Sequence, residues 1–197
     1  MANEIVLVRH GRSAHVERAW LNADGVRQWM VAYDAAEIAA HDPPPAQLID
    51  LARDADLILA SDLPRAVASA VLLAARESVQ TSALLREAPL ETHEHPFPRL
   101  LGIRLPLRIW GLVFMSRWLW ASWRRRPLPG VDEAALARAD AAADWLVQLA
   151  TGRRRVIAVT HGTFRTLLTT ALERRGWRGP DRRPFHNWSA WTLRGPA

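Results

Sequence analysis

Ile5-Val6-Leu7-Val8-Arg9-His10-Gly11 is the stretch on which the fold of this chain turns. Four β-branched or leucine side chains in a row, with no polar alternation, describe a strand buried on both faces that delivers an arginine and a histidine to a loop. Two later stretches repeat the pattern: Asp56 to Ala60 (Asp-Leu-Ile-Leu-Ala) and Arg155 to Thr160 (Arg-Val-Ile-Ala-Val-Thr). Each leads through a polar turn into a helical stretch. These are 64–77, with Pro64 suited to a first turn, and 163–175, with Gly176 as a stop. Three strand-loop-helix units predict an α/β fold with a mainly parallel sheet. Further helices are expected within 25–40 and over 132–150, with a late strand near 189–194. The Trp-, Leu- and Arg-rich segment 96–129, bounded by prolines, is expected to be an insert in a single domain spanning 1–197.

The composition narrows the chemistry. With 197 residues, 49% of them hydrophobic and 23% charged, the chain can bury a core of its own. It has no cysteine, which excludes disulfides, thiolate metal sites and a thiol nucleophile. All 26 basic residues are arginine, against 20 acidic ones, so Schiff-base and P-loop lysine chemistry are excluded too. Guanidinium forks that grip phosphate or carboxylate are plentiful instead. The opening residues lack the charged lead and long apolar core of a secretory signal, so a cytoplasmic location is expected. The longest apolar stretch, 109–123, is shorter than the roughly 20 residues of a spanning helix and carries Arg117.

Open α/β sheets bind ligands at the carboxyl edge of their strands. Arg9-His10-Gly11 and His161-Gly162 both arrive at that edge, each histidine followed by a glycine that lets backbone approach a ligand closely. Between them in sequence lies Ser61-Asp62-Leu63-Pro64-Arg65-Ala66, with Arg65 on the first turn of a helix.

In these residues the chain resembles the histidine phosphatase superfamily, in particular its phosphoglycerate mutase-like branch. Val8-Arg9-His10-Gly11-Arg12-Ser13 is similar to that family's nucleophile motif and Ser61 to Ala66 to its second-arginine motif. Leu85-Arg86-Glu87 resembles the segment that holds its acid, and Thr160-His161-Gly162 its second-histidine motif. The resemblance implies an α/β three-layer sandwich, a mainly parallel sheet with helices on both faces, and a phosphatase that hydrolyses a phosphomonoester or protein phosphate through a phosphohistidine on His10, with no metal and no cofactor. His10, Glu87 and His161 would be catalytic, and Arg9, Arg65 and Gly162 would bind substrate. A phosphotransferase of the mutase type and a phosphate-binding module without turnover are the alternatives.

The chemistry of the residues agrees with this. Phosphoryl transfer needs positioning and cationic stabilisation, which Arg9 and Arg65 can supply. His10 must attack as neutral imidazole, and two arginine charges disfavour imidazolium. The amides after Gly162 open a helix whose N-terminus favours an anion. Glu87 would protonate the leaving oxygen, its own pKa raised by the like charge of the substrate. The chain departs from the family at Val16, where an asparagine is common. It also departs after the acid, where Ala88-Pro89-Leu90-Glu91-Thr92-His93-Glu94-His95 replaces a Gly-x-Trp-Glu-Gly stretch; Glu91, His93 or Glu94 could serve the leaving group instead.

His93-x-His95 lacks a third ligand at metal-site spacing, so no metal is expected. Arg124 to Arg126 and Arg153 to Arg155 are expected to be solvated runs, and no nucleic-acid partner is expected. The apolar stretch 104–126 must pack under the domain, pair with a second copy as a homodimer, or lie on a membrane surface.

Overall fold

The computed structural model describes residues 3–15, 20–74, 79–88, 102–112 and 133–196. Its main sheet has five strands: β1 (Glu4–Arg9), β3 (Leu57–Ser61), β4 (Gln80–Ser82), β6 (Arg155–Thr160) and β7 (Ala190–Arg194). The order is β4-β3-β6-β1-β7, parallel throughout except for β7, which runs antiparallel along β1. A small second sheet pairs β2 (Trp20–Leu21) with β5 (Leu105–Pro106). The helices are α1 (Ala23–Ala35), α2 (Ala46–Arg53), α3 (Pro64–Ala74), α4 (described over 107–112), α5 (Glu133–Ala150) and α6 (Gly162–Arg174).

Side chains of the three central strands alternate between two cores. Ile5, Leu7, Leu59, Val156 and Ala158 face α5 and α6, whereas Val6, Val8, Ile58, Ala60, Ile157 and Val159 face α2 and α3. Both faces are therefore apolar, which is why the sequence shows unbroken hydrophobic runs. On α5, Ala135, Ala139, Ala142, Ala143, Leu146 and Ala150 form one stripe of mostly small side chains that lets α6 approach closely. Helix α6 ends at Gly176, with φ of 83°. Its N–H donates to Glu173 O (3.0 Å) and that of Trp177 to Leu172 O (3.2 Å), the paired bonds of a Schellman stop.

The parallel register places the site. Glu4 lies opposite Arg155 and Arg9 opposite Thr160, so the next residues, His10 and His161, leave the sheet side by side. At the far end the half-buried Arg155 donates to Glu4 Oε2 through Nε (2.9 Å) and Nη2 (2.7 Å), an ion pair across the same two strands.

The sequence does not anticipate α2, β4, or the pairing of β2 with β5. Nor is the N-terminal part of the described insert free-standing. Trp110 is buried against Val26 among Leu21, Met30 and Leu105, and its Nε1 donates to Leu21 O at 2.7 Å. Within 102–112 it is Leu105 and Trp110 that pack against α1, while Ile103 and Leu112 are exposed. The remainder of the apolar stretch, including Arg117 and Arg124 to Arg126, lies outside the described residues, as do Val16, Glu91, His93, Glu94 and His95. Among the described residues no helix is long and apolar enough to cross a membrane.

Candidate active site

His10 is buried just beyond β1, and two contacts decide its protonation. Nδ1–H donates to the Gly11 carbonyl at 2.6 Å, since a carbonyl can only accept. Nε2 then carries the lone pair and accepts from Arg65 Nε at 3.3 Å. The ring is held in the tautomer that makes Nε2 the nucleophilic atom. Its pKa is lowered from 6.5 to about 3, first by burial and then by Arg65, Arg9 and Arg165, against the pull of the Gly11 bond. The sequence ascribes this effect to arginine charge, but burial is the larger cause.

The His161 ring stands 5.0 Å from that of His10, centroid to centroid. His161 is the N-cap of α6, with an extended backbone that ends β6 and turns the chain. Its Nε2 meets Ser61 Oγ at 2.9 Å, and the same hydroxyl accepts from Leu63 N at 3.3 Å. When the hydroxyl donates to Nε2, the ring proton sits on Nδ1, a buried atom without a partner among the described residues. Burial and the neighbouring His10 and arginines hold His161 well below the usual histidine range, so it is neutral.

Arg65, on the first turn of α3, is fully buried. Besides Nε on His10, it donates from Nη1 to Tyr33 O and from Nη2 to Asp34 Oδ1, both at 2.9 Å, and its guanidinium lies 4.3 Å over the Tyr33 ring. The other face of Tyr33 is stacked on Trp29 at 4.9 Å. Arg9 donates from Nη1 to Phe185 O and keeps a buried Nε without a partner among the described residues.

Glu87 follows the short turn Ala83–Leu85 and reaches the N-terminus of α6. Its Oε1 accepts from Phe164 N (2.8 Å) and Ala88 N (3.0 Å). The sequence leaves the opening amides of α6 for a substrate anion; here Glu87 itself takes one of them. Burial raises its pKa, against these amides and Arg65. Gly162 is buried with the Phe185 ring over it. An added Cβ would come within 3.0 Å of that ring and 3.4 Å of Arg9 Cζ, so this glycine admits Phe185 and Arg9 to the site.

Several neighbours of the site carry no motif in the sequence. Arg165, fully buried one turn into α6, donates to Ser189 O (2.6 Å), Ser189 Oγ (3.1 Å) and Pro184 O (3.0 Å), and stacks on Trp191 at 3.8 Å. Burial and Arg9 pull its pKa down to about 9. Tyr33 and Asp34 wrap Arg65, and Asn187 contacts the carbonyls of His10 and Gly11. Only Arg165 had a local signal, its place one helical turn after His161. Among the described residues no three His, Asp or Glu side chains gather as a metal site.

No protein-family model matches the sequence, and no curated protein matches it either. Solved structures do resemble it. A phosphoserine phosphatase from Entamoeba histolytica aligns at 17% identity over 96% of this chain and 89% of its own, with a TM-score of 0.54. A mycobacterial glucosyl-3-phosphoglycerate phosphatase aligns at 21% identity over 95% and 84%, with a TM-score of 0.53. The product of an open reading frame of Mycobacterium tuberculosis aligns at 17% identity over 99% and 95%, with a TM-score of 0.57. Likeness at such identities speaks to architecture: the chain has the fold of the phosphoglycerate mutase-like branch of the histidine phosphatase superfamily.

Proposed function

We propose that this protein is a phosphatase that hydrolyses a small phosphomonoester through a phosphohistidine on His10, without a metal ion. The observation that carries this is the state of His10: neutral, with Nε2 fixed as the lone-pair nitrogen beside a second neutral histidine and among buried arginines. Two similar structures support the substrate class, since the Entamoeba phosphatase holds phosphoserine and the mycobacterial phosphatase was solved with VO3.

In the first step His10 Nε2 attacks phosphorus and the ester P–O bond breaks. The leaving alkoxide takes a proton from Glu87, whose protonated form burial favours. Charge on the transferring group is met by Arg9, Arg65 and Arg165 and by Nδ1–H of His161. In the second step water attacks the phosphohistidine and Glu87, now a carboxylate, takes its proton. Inorganic phosphate leaves and His10 is neutral again.

Acid-base stability of the trapped intermediate tests this proposal. Protein quenched during turnover should carry a phosphoryl group that is acid-labile and base-stable, absent in H10A. Activity lost in EDTA and restored by zinc or magnesium would refute the metal-free mechanism, and turnover by H10A would refute the nucleophile.

A further inference from the structure

Gly11 sits where no other residue fits, because a Cβ would lie 2.5 Å from the Trp188 ring. A glycine peptide is also the easiest to rotate, yet the Gly11 carbonyl is the contact that takes the Nδ1 proton of His10, beside the Arg65 donor at Nε2. Side chains hold it from both sides. Gly11 N–H donates to Ser69 Oγ (2.9 Å), whose own hydroxyl donates to Arg65 O (2.7 Å). Asn187 Nδ2 donates to Gly11 O (3.1 Å) and to His10 O (3.0 Å). Both acceptors are carbonyls, so only the NH2 end of this amide can face them.

The segment bearing Asn187 is itself anchored. Trp188 adopts φ of 61°, a left-handed conformation that costs energy in a bulky residue and persists only where surroundings impose it. They do so here through Trp188 N to Arg9 O (3.1 Å) and Trp188 Nε1 to Asp42 Oδ2 (2.8 Å). Arg165 and Arg9 grip the carbonyls on either side, at Ser189, Pro184 and Phe185.

We propose that Asn187 is a positioning residue for the nucleophile: it aims the Gly11 carbonyl at Nδ1 of His10 and so keeps the lone pair on Nε2. The proposal rests on His10 being the nucleophile, but its primary test needs no turnover. Because His10 is neutral near pH 7, nitrogen-15 NMR of its ring reports directly which nitrogen carries the proton. The wild type should show Nδ1–H. N187A, and N187D, which keeps the volume but turns an acceptor toward two carbonyls, should show a mixture with the Nε2–H form. In a phosphatase assay kcat should fall about tenfold with KM little changed, the size expected from losing one hydrogen bond. A larger loss, toward the roughly ten-thousandfold of a full tautomer error in serine proteases, would still agree. An unchanged tautomer in either folded variant overturns the proposal, whatever happens to kcat. Unfolding of both variants would overturn it as well, by marking Asn187 as a fold residue. Absence of phosphatase activity in the wild type, with the tautomer shift intact, would instead refute the proposed reaction alone.

Discussion

Acidification should destabilise this protein through the buried His10. His10 is held neutral, its pKa lowered from 6.5 to about 3, so the folded state resists a proton that the unfolded chain accepts. The stabilisation is fully present above 6.5 and is lost as pH falls through about 3. At about 1.4 kcal/mol per factor of ten, the full effect is about 5 kcal/mol, a large share of the 5–15 kcal/mol that holds typical domains together. Between pH 7 and about pH 4.5 the loss works out at about 2–3 kcal/mol, a slope close to one proton per molecule. Urea unfolding of the wild type and of H10N, which cannot titrate there, would measure it at both pH values. Asparagine can still donate to the Gly11 carbonyl, so the variant should fold. The wild type should lose about 2–3 kcal/mol more than H10N over that interval. Equal losses would refute the reasoning, since they would mean that His10 takes up its proton in the folded state.

Three further outcomes are expected. Glu87→Gln should fold normally, because the amide oxygen can keep the Phe164 and Ala88 bonds, yet lower kcat/KM for alkyl phosphates about 100-fold or more while sparing that of an activated aryl phosphate; comparing kcat/KM, which reports the step up to the phosphohistidine, for the two ester types checks this. The same variant should lack the alkaline limb of the wild-type kcat/KM profile, which arises as pH rises through the raised pKa of Glu87 and the protonated acid disappears. Gly11→Ala, driven against the Trp188 ring, should lower stability by about 1–3 kcal/mol in urea titration, and an unchanged midpoint would mean that the ring moves aside freely.

The architecture was legible because its decisive signals are local. Ile5 to Val8 and Val156 to Val159 are buried on both faces and read as unbroken apolar runs, and Pro64 and Gly176 stand where helix ends need them. Helix α2 has eight residues and β4 is the polar Gln80–Ser82, too short and too weakly patterned to register. The motif residues of the site sit at strand ends, so a pattern of strands finds them. Asn187 does not, since it reaches His10 and Gly11 from 177 and 176 residues away and no periodicity connects them. Depth was equally invisible. Counting charges points to arginine as the cause of the low His10 pKa, whereas desolvation leads there, as it does in raising the pKa of Glu87.

The Glu4–Arg155 pair at the blunt end of the sheet bears on how a site at its opposite edge could be re-engineered. Strands advance about 3.3 Å per residue and reverse their faces with each one, so a single-residue slip between β1 and β6 would carry His10 off His161 and turn the apolar side chains around. The pair thus works as an alignment key six residues behind the two histidines, half-buried and out of reach of any ligand at the opposite edge. Loops at the carboxyl edge can then vary in length and composition while the two histidines keep their spacing, because that spacing is gauged from the other end of the ladder.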